Sequence, residues 1–246
     1  MAETNDYNKK KCSLNKIKSN FIFKRIFDNL KEVKKLDIIR YNKSFQNKLN
    51  KDIDDYFNEY SKIEIDLIPF DNKCGKFINI TKNNIPHYHI YFNDNKEEEK
   101  RKYFFLSDKV KKIKIIIDYS IKSISGLFSN IKCIKKINFV QFHRRNIEDM
   151  SCLFRKCSYL EELNISNLKA DNVFMMNDIF YECSSLKEIN LSKFITNNVI
   201  DMSCMFYGCQ SLKKLNLSNF NTNNVINMSY LFCGCLSLKK IKISNF

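Results

Sequence analysis

Apolar and polar residues change their period along this chain, and each change marks a different kind of structure. Between Ser19 and Leu49 the apolar residues recur at three- and four-residue spacing. Phe21, Ile22, Ile26, Phe27 and Leu30 come first, then Leu36, Ile38 and Ile39 with Phe45 or Leu49. That spacing predicts short helices with one apolar face. Ser19 or Asn20 is placed to cap the first helix and Asp37 a later one. Residues 52–61 read as a further short helix, and the polar residues 1–18 as a disordered N-terminus. From Ile63 the period becomes two. Ile63–Ile68, Lys76–Thr81, His87–Phe92, Tyr103–Leu106 and Val110–Ile117 read as strands, interrupted by Pro69, Pro86 and the charged loop 93–102. Residues 63–118 are expected to form an antiparallel β cap.

From residue 119 onward a third period, of 26 residues, takes over. Asn146–Phe154, Asn172–Phe180, Asn198–Phe206 and Asn224–Phe232 superimpose without insertion or deletion, and Ser120–Phe128 is a degenerate first copy. Five units in unbroken register predict stacked repeats, each burying its apolar face against its neighbours. Each unit has two halves. Leu160-x-x-Leu163-x-Ile165-x-x-Leu168 alternates as a short strand with Leu163 and Ile165 inward, and the pattern returns at Leu186–Phe194, Leu212–Phe220 and Leu238–Phe246. In the other half Val199, Met202, Met205, Phe206, Cys209 and Leu212 fit one face of a short helix or 3₁₀ turn, with Gly208 and Gly234 where such a helix ends. Strand plus short helix is the leucine-rich-repeat unit. The expected fold is therefore an α/β leucine-rich-repeat solenoid over residues 119–246, behind the β cap at 63–118 and a helical region at 19–62. Ile124, Met150, Met176, Met202 and Met228 should form one interior column, and Phe128, Phe154, Phe180, Phe206 and Phe232 another.

Composition narrows the function more than the fold. The net charge is +15, and the excess is spread over the whole chain rather than held in one block. Such a surface attracts nucleic acid or acidic surfaces without specificity, but no aromatic-basic module accompanies it. No apolar run reaches the ~18 residues of a membrane-spanning helix, and Met1–Lys11 lacks the apolar core of a secretory signal. A cytoplasmic location is expected, with the ten cysteines reduced. Four of them, Cys157, Cys183, Cys209 and Cys235, share one repeat position with Ile131, so they read as small buried hydrophobes.

Little in the chain points to chemistry. His87 and His89 lie on one strand face, with Cys74 near in sequence, but no spacing completes a four-ligand metal site. His143-Arg144-Arg145 reads as a solvated corner. The column Asp149, Met175, Asp201, Asn227 reads as capping. With four glycines in all, no phosphate loop is available. No catalytic, metal or cofactor residue is assigned, and no enzyme is expected.

The remaining feature is a surface. The outward residues of successive strands are Glu162, Asn164 and Ser166; Glu188, Asn190 and Ser192; Lys214, Asn216 and Ser218; then Lys240 and Lys242. Stacking would make asparagine and serine ladders beside a column of changing charge. We take this as the expected binding face for a protein partner. The last copy ends just after its strand. An exposed Ile241–Ile243 edge, with Leu238 and Phe246 beside it, is therefore expected to lack a cap and to promote self-association or mark a truncated product.

Two resemblances sharpen these expectations. The stretch Asn198–Phe220, Asn-Val-Ile-Asp-Met-Ser-Cys-Met-Phe-Tyr-Gly-Cys-Gln-Ser-Leu-Lys-Lys-Leu-Asn-Leu-Ser-Asn-Phe, resembles the BspA-like leucine-rich repeats of bacterial and protist surface proteins. That implies a parallel β stack used in adhesion or protein binding. Asn20–Leu49 resembles an F-box in the spacing of Phe21–Leu30, Leu36–Ile39 and Phe45, although the early Leu-Pro and later Val-Cys…Trp of that family are not there. This second resemblance implies a face of Phe23, Phe27 and Leu30 that grips a Skp-type adaptor. It also implies an F-box/leucine-rich-repeat substrate receptor of a cullin-type ubiquitin ligase as the alternative function.

Overall fold

The computed structural model describes residues 18–28, 30, 35, 38, 42–50, 61–142, 144, 146–168, 170–192 and 194–244. The chain divides into two compact units, Met1–Tyr60 and Ser61–Phe246. The expected Asp37 cap, the helix at 52–61 and the N-terminal tail lie outside the described residues, apart from Lys18 and Ser61 at their edges.

The first unit contains two helices, α1 (Asn20–Asp28) and α2 (Lys43–Leu49). Ser19 Oγ accepts the Ile22 amide at 3.4 Å, which starts α1 where the sequence placed the cap. Asn42 caps α2, its side-chain oxygen accepting from the Ser44 and Phe45 amides at 3.1 and 3.3 Å. Asn50, in the left-handed region, ends it. Phe27 of α1 and Phe45 of α2 are buried.

The second unit opens with strands β1 (Ile63–Pro69), β2 (Gly75–Lys76), β3 (Tyr88–Phe92), β4 (Tyr103–Phe104) and β5 (Ile113–Ile117). The first copy then supplies β6 (Ile134–Phe142), and later copies supply β7 (Glu162–Asn164), β8 (Lys214–Leu217) and β9 (Lys240–Ile243). Period-two alternation decides the two faces. Ile63, Ile65, Leu67, Ile90, Ile113, Ile115 and Ile117 are buried. Their neighbours form an outer charged ladder, Lys114 to Glu64 at 2.8 Å and Lys112 to Asp66 at 3.4 Å.

The sheet order overturns the expected solenoid. One five-stranded mixed sheet runs β3-β5-β1-β6-β7. β1 lies antiparallel to both β5 and β6, and only β6–β7 is parallel. The block expected as a separate cap thus forms most of the main sheet, because β6 is nine residues long and pairs with the whole of β1. β8 and β9 form a separate parallel pair. No strand is assigned at Glu188–Asn190, so the repeats do not share one continuous parallel sheet.

The predicted short helices of the repeats are also corrected. These segments are turns in which hydrogen-bond direction alternates. The amides of Ile124, Gly126, Phe128 and Asn130 donate to the carbonyls of Asp149, Ser151, Leu153 and Arg155 in the next copy, at 2.7–3.1 Å. The amides between them, at Leu127, Ser129 and Ile131, fold back three residues to Ile124, Gly126 and Phe128. The same scheme recurs in the next three copies. The physical reason is a left-handed residue every fourth position. Gly126, Cys152, Asp178, Cys204 and Tyr230 have positive φ, and so do Asn130, Lys156, Glu182, Gly208 and Gly234. A right-handed helix cannot pass through them. Gly208 is therefore a turn residue inside the repeat, and a Cβ there would come within 3.1 Å of Glu182.

The copies nonetheless lie one upon the next. Parallel bridges join Ser123, Asp149, Met175, Asp201 and Asn227 in series. Phe128, Phe154, Phe180, Phe206 and Phe232 form a stack with ring centroids 5.4–5.9 Å apart. The first four of these rings are fully buried, as are Ile124, Met150, Met176 and Met202. In the last copy Phe232 is half-buried and Met228 exposed. Ile241 and Ile243 are exposed and Leu238 is half-buried, while Phe246 lies outside the described residues.

Phe180 sits mid-stack between rings at 5.7 and 5.4 Å. We predict that Phe180→Ala lowers unfolding free energy by about 3–5 kcal/mol through the cavity it leaves, measured by urea denaturation. The same substitution at half-buried Phe232 should cost clearly less.

Candidate functional site: a polar strand face

Inward anchoring of Leu163, Ile165, Leu215 and Leu217 turns the intervening residues outward. Glu162 and Asn164 project from β7, Lys214 and Asn216 from β8, and Lys240 and Lys242 from β9, all exposed. Glu188, Asn190 and Ser192 are exposed on the unassigned segment between, whereas Ser166 and Ser218 are half-buried. Glu162, Asn164, Glu188, Asn190 and Lys214 line one groove of about 1060 Å³, which also takes in Lys136, Asn138, Glu161, Lys187 and Lys213. Asn216, Lys240, Lys242 and the three serines lie outside its lining.

The asparagine ladder has structural duties. Asn164, Asn190 and Asn216 each accept the backbone amide two residues on, at Ser166, Ser192 and Ser218, at 3.0–3.1 Å. These bonds close the turn after the strand position. Asn164 Nδ2 also donates to Asn138 at 2.8 Å. Charge at the N-terminal end of the groove is matched across copies. Lys136 meets Glu162 at 2.8 Å, and Lys135 meets Glu161 at 3.7 Å. The Lys136 hydrogen bond holds the Glu162 carboxyl below the usual carboxylate range.

Of the adaptor face read from the sequence, the side chains of Phe27 and Leu30 are described. Phe27 is buried and Leu30 half-buried, while the side chain of Phe23 lies outside the described residues. The large exposed groups of α1 are Phe21, Ile22 and Ile26. With Arg25 and Leu30 they line a second pocket of about 530 Å³. Amphipathic spacing places residues on faces, but it did not tell which face would be covered.

Arg144 was read as part of a solvated corner and is instead buried. Its guanidinium donates to the carbonyls of Ser61 at 2.7 Å, Ile121 at 2.6 Å and Ile117 at 3.4 Å, and lies 5.6 Å from the Tyr119 ring. Burial lowers its pKa to about 10. His143 and Arg145 lie outside the described residues. His89 sits between Glu98 and Asp118, each at 3.3 Å, and His87 meets Ser120 Oγ at 2.9 Å. Among the described residues no group of three or more potential ligands could hold a metal ion. Asp149 and Asp201 accept the amides of Ser151 and Ser203 at 2.8 Å, serving turn starts rather than helix caps.

One surface escaped sequence reading. Arg155 lies over the Tyr181 ring at 4.7 Å, and Tyr181 stacks on Tyr207 at 4.7 Å. Phe174, Ile200 and Ile226 form an exposed apolar column. Both sets share a repeat position, so laying every column out, and not only the apolar ones, would have revealed them.

The cysteine column is a thiol ladder. Cys157, Cys183, Cys209 and Cys235 donate to the carbonyls of Phe128, Phe154, Phe180 and Phe206, one copy back, at 2.9–3.1 Å. All described cysteines are free. Burial pushes the Cys157 and Cys209 thiols up to about 12, and Cys183 well above the ordinary thiol range.

A family model described as "Mycoplasma protein of unknown function, DUF285" matches residues 122–246, just over half of the chain. The chain belongs to that family. No curated protein and no solved structure matches it. Among the described residues no helix is long and apolar enough to cross a membrane.

The thiol ladder predicts alkaline lability. A folded pKa raised above the unfolded value adds stability that is complete below about pH 9 and lost as pH climbs toward 12. Each such thiol should steepen that loss by up to about 1.4 kcal/mol per pH unit. Denaturation of wild type and of Cys157→Ala/Cys209→Ala between pH 8 and pH 11 should show a shallower fall in the variant. Parallel curves would remove the thiols from the account.

Proposed function

We propose that this chain is a non-enzymatic scaffold that binds another protein along the groove of its repeat strands. The observation that carries this reading is the groove itself. Glu162, Asn164, Glu188, Asn190 and Lys214, singled out as outward residues of separate copies, converge on one concavity of about 1060 Å³. Concave, polar and charged surfaces set the register and specificity of a partner more than its raw affinity. The Arg155, Tyr181 and Tyr207 stack supports the same class of function, since Arg and Tyr are the residue types that most often anchor protein interfaces. The resemblance of the repeats to BspA-like sequences points the same way.

A second reading, a Skp-type adaptor-binding F-box segment of a ubiquitin-ligase substrate receptor, is favoured by α1. Its exposed Phe21, Ile22 and Ile26 form an apolar patch with its own shallow pocket. Patches of this kind on a small helical unit fit a partner helix.

Two measurements separate the readings. Asn190→Arg, which fills the groove with a bulky charge, should abolish capture of a partner from native-host extract, whereas Asn190→Ala, which removes only the bond to the Ser192 amide, should lower the melting temperature as much and keep the capture. Phe21→Asp/Ile22→Asp should leave that capture intact, and should abolish co-purification with a Skp-type adaptor if the second reading holds. A groove variant that captures its partner as wild type does would refute the first reading.

A further inference from the structure

The charges along the strand face change character from one end to the other. In the first two copies each outward lysine meets a glutamate in the next copy, Lys135 with Glu161 and Lys136 with Glu162. Lys122 and Glu148, at the start of the turn segments, make a further pair between the same two copies at 3.9 Å. In the last three copies the same positions carry Lys187, Lys213, Lys214, Lys239 and Lys240, and Lys242 takes the place of the ladder asparagine. All six are exposed. Among the described residues none of them forms an ion pair, and Glu188 is the one acidic side chain in that stretch of the face. The strand register makes this arrangement unfavourable by itself. Lys214 lies directly opposite Lys240 in the parallel pair, and the Lys239 amide bonds to the Lys213 carbonyl at 3.0 Å, which holds a second pair of lysines on adjacent chains. Like charges held opposite each other destabilise a strand pair. Stability therefore does not account for the lysine columns, whereas an anionic occupant does.

From this charge complementarity we propose that an acidic, extended polypeptide segment of a partner protein binds the C-terminal part of the strand face, seated on Lys187, Lys213 and Lys214 of the groove and running past its lining onto Lys239, Lys240 and Lys242. The inference rests on the groove being the binding face and adds the chemistry of what it binds. Carboxylates on such a segment would sit between lysines one copy apart, about 4.8 Å by strand spacing, and relieve their repulsion. A peptide fits better than single-stranded nucleic acid. The groove is lined by lysine, glutamate, asparagine, leucine and isoleucine, with no aromatic ring on which bases could stack. The stacked tyrosines Tyr181 and Tyr207 belong to the turn segments and are not part of that lining. Glu161, Glu162 and Glu188 would repel a uniformly charged polymer along the N-terminal part of the groove and confine acidic groups to its C-terminal part.

The test uses the full chain and a fluorescein-labelled peptide of alternating glutamate and serine, followed by fluorescence anisotropy. Binding should weaken as salt is raised. Lys213→Glu/Lys240→Glu should weaken it by at least about tenfold, and the milder Lys213→Gln/Lys240→Gln should weaken it less while not lowering the melting temperature. Lys122→Glu, outside the cluster, should leave it unchanged. A short single-stranded DNA that binds more tightly than the peptide, with the same lysine dependence, would overturn the choice of partner. Peptide binding that ignores the lysine variants would overturn the inference. If Asn190→Arg still abolishes partner capture in that case, the groove remains the binding face and only its acidic preference fails. If neither set of variants affects capture or peptide binding, both readings fall.

Discussion

The amide-to-carbonyl bonds that pass between copies are the constraint on which the rest of the second unit depends. Every second amide of a turn segment is committed to a carbonyl 25 residues further on, from Ile124 to Asp149 through to Gly208 and Cys233. An insertion within a turn segment would shift the donors that follow it in that unit off their acceptors in the next. The register is thus enforced by backbone groups that pair from one copy to the next. Once it is fixed, equivalent side chains must meet, whatever their chemistry. For phenylalanine this is favourable, since rings offset at 5.4–5.9 Å pack well and exclude water. For the cysteines it supplies a carbonyl acceptor one copy back, so a weak donor can be buried without being left unsatisfied.

The same constraint separates interior from surface in what a copy can vary. An interior column must keep volume and polarity, since a neighbour of identical shape waits above and below. An outward column is bound only by the electrostatics of its neighbours. Lysine against glutamate across copies one and two settles that favourably, and lysine against lysine across copies four and five does not. The outer faces are accordingly where the chain carries information, and the differences between otherwise equivalent copies are the informative positions. The Arg155, Tyr181 and Tyr207 stack shows this on the turn side, where the first copy has Ser129 and the last Cys233.

What the sequence made legible follows from which interactions are periodic. The interior columns of the first four copies, the inward pair Leu163 and Ile165 and the alternating strands at Ile63 and Ile113 all follow a fixed spacing and are buried where that spacing places them, whereas Met228 and Phe232 of the last copy are not fully covered. The helix assignment failed because turns folded back three residues bring Met202, Met205, Cys209 and Leu212 to one side, much as a helix would. What distinguishes them is positive φ at Cys204 and, in other copies, at Cys152 and Lys156, residue types that give little hint of it. The mixed sheet was hidden for a different reason. The pairing of β1 with β6 spans about seventy residues and depends on a strand longer than its repeat equivalents. The strand expected at Lys76–Thr81 contributes only the short β2, and Phe77 and Ile78 are buried from an irregular segment. On α1, spacing grouped Phe23 and Phe27, yet burial of Phe27 and exposure of Phe21 and Ile22 depend on packing the local pattern does not encode.

Arg144 shows how a residue that looks like surface in sequence becomes a joint in the structure. It stands between two other basic or titratable residues, the usual mark of a solvated turn. In the fold it reaches three carbonyls from separate places: Ser61 ahead of β1, Ile117 at the end of β5, and Ile121 at the entry to the first copy. A buried guanidinium without a direct carboxylate partner is costly, and here carbonyl dipoles and the Tyr119 ring surround it while the Asp118 carboxylate favours its charge without contact. The lowered pKa of about 10 leaves it charged at neutral pH, so the carbonyls meet a full positive charge. Those carbonyls would otherwise be acceptors in a desolvated corner, where the sheet's ladder has ended and the first inter-copy bond has not begun. The guanidinium spans that gap because its donors fan out in one plane, which a lysine's compact ammonium cannot reproduce. To the β1–β6 ladder that already joins the mixed sheet to the first copy, Arg144 thus adds a second tie, from a side chain that belongs to the regular pattern of neither.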